Sequence, residues 1–414
     1  MRIFIFLVFI LALDLYSYFG LKVLLSNSQY QKIGKYTFLI FSAISYVGIL
    51  FLFKYFANHP LYSTPFRNLI IGFAFAFLLF KMVFILFLFI DDAVRLLSYI
   101  LNFIIHLFDK STANSSYPDR RKFIGQIGLG IAAIPFLSML YGSTKGKYNF
   151  KVINIKLDFA NLPSAFDGLK LVHISDIHSG SFDSLEAVQR GIDLINAQNA
   201  DIICFTGDLV NNDSREIEPF IQDFKALKSK YGIYSCLGNH DYGDYKHWKS
   251  KEVKQQNLET LFKHHQAMGF KLLNNSNVEL TNKGEKIVIL GVENWGKPPF
   301  PQHGDLDKAL KNVNNADFKI LLSHDPSHWD YKVLTHPTNI DLTLSGHTHG
   351  MQFGVEIPGF KWSPIKYLYP RWAGLYQEAT QYLYVNRGFG FLGFPGRVGI
   401  WPEITVIELK KAIA

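Results

Sequence analysis

Thiols are almost missing from this chain: among 414 residues only Cys204 and Cys236 are cysteine. Both sit inside short apolar runs, where a free cysteine serves as a small core side chain. Nothing in their spacing calls for a disulfide, and two thiols are too few for a stapled scaffold or a thiolate-held structural zinc. Charge is also sparse, with Asp, Glu, Lys and Arg together making 18% of the chain. The net charge of +8 comes without a long Lys/Arg run or stripe, so no nucleic-acid partner is indicated.

What the chain has instead is apolar length at one end. Ile3–Leu25, Tyr36–Ala57 and Leu69–Ile90 each reach the roughly 20 residues needed to cross a bilayer. Val94–Phe108 is shorter and is interrupted by Asn102 and His106. It reads as a fourth span, an interfacial helix or a continuation of the third. A polar loop, Ser111–Asp119, precedes one more apolar run, Phe123–Tyr141. Several spans ahead of a polar region do not fit a cleaved signal peptide.

Orientation follows from Arg120-Arg121-Lys122, the densest basic cluster beside any span. The positive-inside rule places that cluster in the cytoplasm, so the last span delivers the rest of the chain to the other side. Lys145, Lys147 and Lys151, just beyond that span, weigh against this. Asp119–Ile124 also resembles a twin-arginine export signal, and a basic stop beside a membrane helix is the equal alternative. Both predict an integral inner-membrane protein with an extracytoplasmic C-terminal region. Asp14 and Lys81 fall near mid-depth of the first and third spans, which predicts an ion pair within the membrane.

The chain therefore divides into a multi-span region over 1–110, a loop with the basic cluster and a final span over 111–145, and a folded domain over 146–414. In that domain five short apolar runs each end in a cluster of His, Asp or Asn. Leu171-Val172 precedes Asp176-Ile177-His178, and Ile202–Phe205 precedes Gly207-Asp208. Ile233–Leu237 precedes Gly238-Asn239-His240-Asp241, Ile320–Leu322 precedes Ser323-His324-Asp325, and Leu342–Leu344 precedes Gly346-His347-Thr348-His349. Apolar runs bounded by turn residues read as buried strands. Ligands on loops at strand ends are the usual chemistry-bearing arrangement of open α/β sheets. Carboxylate, imidazole and amide donors suit divalent Mn, Fe or Zn. Two such cations bridge a phosphate and activate water, and Asp208 is the natural bridging carboxylate.

This ordered set resembles the calcineurin-like metallophosphoesterases, in the branch anchored to membranes. The similarity covers roughly residues 150 to 410 and extends to Leu162-Pro163, Asp167-Gly168 and Pro402-Glu403. The resemblance implies a four-layer α/β/β/α sandwich behind the transmembrane helices. It implies one cation held by Asp176, His178, Asp208 and His349, and a second by Asp208, Asn239, His324 and His347. His240 would face the leaving-group oxygen as general acid or electrostatic stabiliser, with Asp241 orienting its imidazole. The chain departs from the family pattern at Asn211 and Asn212, where many relatives carry an acidic residue, which puts an outer contact in doubt rather than a ligand.

Of the remaining histidines, His173 is expected to be packed within a strand. His247, His264, His265, His303, His328 and His336 are expected on surfaces or loops. Residues 353–376 and 389–395 are rich in aromatics and glycine; they form either an apolar wall for a lipid chain or a cover for the sandwich edge. Arg387 and Arg397 are available to pair with phosphate oxygens. The expected function is hydrolysis of a phosphomonoester, phosphodiester or pyrophosphate near the membrane. Some relatives act on a lipid-linked substrate of the UDP-diacylglucosamine type. The other reading is a catalytically silent scaffold that binds metal or phospholipid.

Overall fold

The computed structural model describes residues 2–58, 61–108 and 118–412. Most of the expected polar loop, residues 111–117, lies outside them. The chain forms two compact units, one of residues 1–57 with 66–141, the other of 58–65 with 142–414.

The first unit is built from α1 (Arg2–Leu24), α2 (Gln31–Asn58), α3 (Pro65–Phe108) and α4 (Pro118–Thr144). All four are long and apolar enough to cross a membrane. In lipid a helix satisfies its own backbone groups, which is why such apolar runs fold this way. Large side chains such as Phe9, Leu50 and Phe89 stay bare on the outside. Small residues let helices approach: a Cβ on Gly48 would lie 2.5 Å from the Ile70 carbonyl oxygen and 2.6 Å from Ala74 Cβ. Ile10 packs with Ala74, Asp14 meets Lys81 and Gly20 meets Leu88, so α1 and α3 run in the same direction.

The Val94–Phe108 segment is a continuation of α3, not a separate span or interfacial helix. At 44 residues and ~1.5 Å per residue, α3 is about 66 Å long, well beyond the ~30 Å hydrocarbon layer. The aspartates that interrupt its apolar pattern do not break it, because each is paired. Asp91 takes Arg95 at 3.0 Å and Arg120 at 3.2 Å. Asp92 takes Arg121 at 3.3 Å and the Tyr16 hydroxyl at 2.6 Å.

The second unit begins with β1 (Lys151–Phe159), β2 (Leu169–Ile174), α5 (Leu185–Asn196) and β3 (Ile202–Thr206). It continues with α6 (Ile221–Lys225), β4 (Ile233–Cys236), α7 (Lys251–Ala267), β5 (Phe270–Leu272), β6 (Ser276–Asn282) and β7 (Glu285–Gly291). Then come α8 (Leu306–Ala309), β8 (Phe318–Leu322), β9 (Leu342–Ser345) and the hairpin of β10 (Val355–Ile357) with β11 (Phe360–Trp362). β12 (Gly374–Glu378), β13 (Gln381–Val385) and β14 (Glu403–Lys411) complete it. One six-stranded sheet has the order β1-β14-β2-β3-β4-β5 and the other β12-β13-β9-β8-β7-β6.

The expected sandwich is present. Leu171, Ile202 and Cys204 of the first sheet pack on Ile289, Ile320 and Leu342 of the second. Alternate residues point outward: Val172 and Ile203 meet Val188 and Ile192 of α5, while Leu321 and Leu383 meet Leu306 of α8 and Trp329. With both faces of each sheet covered, the central strands have no polar side, which is why they read as unbroken apolar runs. Both cysteines are free and buried.

Asp14 and Lys81 form the expected pair, with Lys81 Nζ 2.9 Å from Asp14 Oδ1 and Ser42 Oγ donating to the same oxygen at 2.8 Å. Neither charged residue is more than 7% exposed. Removing one partner of such a pair costs about 3–5 kcal/mol, whereas replacing both costs far less. Lys81→Met is therefore expected to lower the thermal unfolding midpoint of the detergent-solubilised chain, and adding Asp14→Asn to restore most of it. Equal midpoints for wild type and Lys81→Met would show that the pair carries no stability.

Candidate metal centre

β2, β3 and β4 are parallel neighbours in one sheet, and β8 and β9 in the other. The loops leaving their carboxyl ends therefore open on one edge of the sandwich and carry the five motifs. The first and last loops are tied together: the His347 backbone N–H donates to both Asp176 oxygens at 3.1 and 3.0 Å. Gly346 makes this approach feasible, since a Cβ there would collide with the Ser175 hydroxyl and the Asp176 carboxylate.

The expected ligands converge in two overlapping sets. Asp176 Oδ1 lies 3.3 Å from His349 Nε2. Asp208 Oδ2 lies 3.4 Å from His178 Nε2 and 3.3 Å from His324 Nε2. His347 Nδ1 lies 2.9 Å from Asn239 Oδ1 and 3.3 Å from His324 Nε2. Asp176, His178 and His349, and likewise Asp176, Asp208 and His324, place one ligand atom each within 4.8 Å of one another. His178 Nε2 and His349 Nε2 are buried and, beside these carboxylates, make no hydrogen bond among the described residues. A buried polar atom left unpaired is costly, and a cation lying among these donors removes that cost. The residues fit a divalent metal.

Electrostatics agree. Burial holds the His178, His240 and His347 imidazoles below their ordinary range, favouring the neutral form that donates a lone pair. His324 differs: burial opposes its protonation, but the Asp208 and Asp176 carboxylates outweigh that and raise it to about 10. Burial alone would push Asp208 up, yet the surrounding imidazoles hold it well below the carboxylate range.

The backbone is strained here. Asp176, His178, Asp208, His347 and His349 all have positive φ, between 48° and 73°. Left-handed non-glycine residues cost of order 1–3 kcal/mol each and persist where surrounding contacts overdetermine them.

At Asp208 one such contact comes from the Asp241 carboxylate, whose role differs from the expected one. Asp241 does not orient His240. Its oxygens accept N–H bonds from Gly238 and Leu209 at 2.8 Å and from Asp208 at 2.9 Å, tying the β3 and β4 loops together. His240 is oriented by the Asn211 carbonyl, 2.8 Å from its Nδ1, and packs against Tyr245 with ring centroids 4.5 Å apart. A carbonyl only accepts, so Nδ1 carries the proton and the Nε2 lone pair is left for other work. The Asn211 side chain also fills the place in doubt, its Oδ1 lying 3.1 Å from His178 Nδ1. A neutral amide thus steadies a candidate ligand histidine from behind.

Other expectations require correction. His265 and His328 are buried, not on the surface, and each meets a serine hydroxyl, Ser235 at 3.0 Å and Ser323 at 2.9 Å. His173 is packed as expected, against the Thr206 hydroxyl at 2.9 Å. Neither arginine is offered to phosphate. Arg387 is paired with Glu356 and Glu403, and Arg397 is buried among the Gly388 and Gly390 carbonyls and His349 Nδ1. Tyr369 is a site residue the motifs did not announce. Its hydroxyl lies 2.9 Å from His347 Nε2 and donates to Asp325 at 3.2 Å.

The chain is a membrane-associated member of the calcineurin-like phosphoesterases. Residues 169–351 match the calcineurin-like phosphoesterase family, and residues 1–147 match a family described as the transmembrane domain of a probable calcineurin-like phosphoesterase. An uncharacterized metallophosphoesterase of Bacillus subtilis, YkuE, is 32% identical over 255 residues, covering 60% of this chain and 82% of its own. The "Transmembrane protein with metallophosphoesterase domain" of Danio rerio is 30% identical over 281 residues, 66% of this chain and 60% of that protein. A solved phosphopantetheinyl hydrolase of Mycobacterium tuberculosis aligns at 14% identity with a TM-score of 0.29, over 48% of this chain and 89% of its own.

The loop-tying role of Asp241 has a measurable consequence. In Asp241→Ala the N–H groups of Gly238, Asp208 and Leu209 lose their acceptor, at about 1–3 kcal/mol for each buried group left unpaired. The variant is expected to lose thermal stability and metal together, while His240→Ala melts with the wild type. An Asp241→Ala midpoint equal to that of wild type would refute the tying role.

Proposed function

We propose that this protein is a membrane-anchored phosphoesterase with two divalent cations, of the Mn, Fe or Zn class, acting on a phosphomonoester, phosphodiester or pyrophosphate. The transmembrane region spans 1–110, the basic loop and last helix 111–145, and the catalytic domain 146–414. The observation that carries this reading is Asp208. One of its oxygens faces His178 from one donor set and His324 from the other at nearly equal distance, so this carboxylate would be the group shared between two cations. Asp176, His178 and His349 complete the first set, and Asn239, His324 and His347 the second. When bound, the cation pair supplies Lewis acidity and an activated water at neutral pH. His240, with Nδ1–H donating to the Asn211 carbonyl, would turn Nε2 to the leaving group as an electrostatic stabiliser, or as general acid once that nitrogen has taken up a proton.

The substrate we favour is lipid-linked. Past the last ligand, Met351, Ile357, Phe360, Tyr367 and Leu368 are between 52% and 73% exposed. Tyr367 and Leu368 lead directly into Tyr369 at the centre. Exposed apolar residues gathered beside a site mark a surface for an apolar partner. The 389–395 stretch acts otherwise, since Phe389 and Phe391 are buried in the core beside Phe182. The catalytic domain is assigned to the extracytoplasmic side, which disfavours a UDP-diacylglucosamine-type substrate, normally cytoplasmic. Lys22, Lys32, Lys35, Arg95 and Arg120-Arg121-Lys122 all fall at the end of the bundle where α1 stops and α4 starts, which supports a cytoplasmic location for that end.

Two experiments test this. With added Mn, the purified chain is expected to hydrolyse p-nitrophenyl phosphate or its bis-ester. Asp208→Asn should lose bound metal and rate together, while His240→Ala keeps metal and slows poor leaving groups most. A wild type that binds metal but hydrolyses neither ester would favour the silent scaffold instead. For orientation, an alkaline phosphatase fused at the C-terminus is expected to be active and one fused at residue 115 silent. The reverse pattern would place the site in the cytoplasm and restore a nucleotide-linked lipid.

A further inference from the structure

The membrane unit contains an apolar cavity of about 310 Å³ among all four helices, walled by Phe38, Phe41, Phe77, Phe80, Phe84 and Leu129. Leu21 and Leu25, at the end of α1, line it too. The same two leucines line a second cavity of about 180 Å³, whose other walls are Tyr18, Lys22, Gln31 and Lys35. The two spaces thus adjoin at the helix ends, one apolar and one basic. Lys22 and Lys35 are exposed, and neither makes an ion pair among the described residues. Arg95, Arg120 and Arg121, at the same end, are occupied by Asp91 and Asp92.

We infer that these adjoining cavities form a binding site for one anionic phospholipid, with its phosphate on Lys22 and Lys35 and one acyl chain in the phenylalanine-lined cavity. Depth supports this occupant. From Gln31, in the wall of the basic cavity, to Phe41, at the inner end of the apolar wall, α2 advances about 15 Å at ~1.5 Å per residue, with Lys35 one turn in from Gln31. That is half the ~30 Å hydrocarbon layer, the reach of a single leaflet. Charge supports it as well: two ammonium groups without counter-ions face the level where headgroup phosphates lie, with the Gln31 amide and Tyr18 hydroxyl as neutral donors beside them. An acyl chain gains little hydrophobic free energy by leaving lipid for an apolar cavity. Selectivity must therefore come from the headgroup, and a zwitterionic lipid with the same chains should be held less well. The site lies wholly within the helical unit and does not depend on the catalytic reading.

Native mass spectrometry of the full chain in detergent tests this, with phosphatidylglycerol and phosphatidylcholine of identical chains as probes. One phosphatidylglycerol is expected to be retained several-fold more than phosphatidylcholine. Lys22→Ala with Lys35→Ala should reduce that retention to the phosphatidylcholine level. Thr37→Trp, from a cavity-lining position, should lower retention of both lipids by filling the chain pocket. Both lysines are exposed, so their replacement leaves the packed bundle intact, and the comparison of lipids on the unaltered chain needs no variant. Equal retention of the two lipids by wild type, or undiminished phosphatidylglycerol retention by the double variant, would overturn the site and leave only annular lipid.

Discussion

Asp208 is the constraint around which the second unit is arranged. Its side chain comes from the first sheet, yet it must face His178 from that sheet and His324 from the other. This is possible only if the carboxyl ends of β2, β3, β4, β8 and β9 open on the same edge. Parallel pairing on both sides of the inner core delivers that alignment. The apolar layer of Leu171, Cys204, Ile320 and Leu342 therefore does more than stabilise the sandwich. It fixes the separation of two donor sets, and a close-packed interior gives that separation little freedom.

Holding so many polar groups in one place works against folding. Five candidate ligands adopt left-handed backbone, and buried carboxylates and imidazoles have lost their water. The loops compensate through bonds to the backbone rather than to other side chains. Asp241 accepts from four N–H groups, Asp176 accepts from the His347 N–H, and the Thr206 carbonyl accepts from His324 Nδ1 at 2.6 Å. A ligand histidine fixed at one ring nitrogen has its other nitrogen aimed, so the same bonds that resist strain also set direction.

Much of this was legible in the sequence because the relevant signals are local. A strand covered on both faces must be apolar throughout, and a ligand at its end must be His, Asp or Asn, so each run and its motif appear within about ten residues of one another. What escaped reading depends on contacts between distant segments. Tyr369 reaches His347 from an aromatic stretch with no periodic marker, and Asn211 uses its side-chain oxygen and its backbone carbonyl on different histidines. Asp241 sits inside a motif, yet the direction of its carboxylate is set by four backbone groups spread over two loops. His265 and His328 looked like surface residues because a polar side chain in a loop or helix gives no sign that a buried serine awaits it.

The membrane unit shows the same division between local and distant signals. Hydrophobic length fixes which segments cross, but it did not separate a fourth span from an extension of α3. The deciding fact is pairing: Asp91 and Asp92 are neutralised by residues of α1, α3 and α4, so the helix passes through a charged point that would otherwise favour a break. Asp14 and Lys81 follow the same logic deeper in the bundle, where each charge is tolerated only because the other, with Ser42, is there. The aspartates at 14, 91 and 92 are thus each met by a residue of a neighbouring helix. Lys22 and Lys35, exposed at the bundle end without such an answer among the described residues, are the places where lipid can supply one.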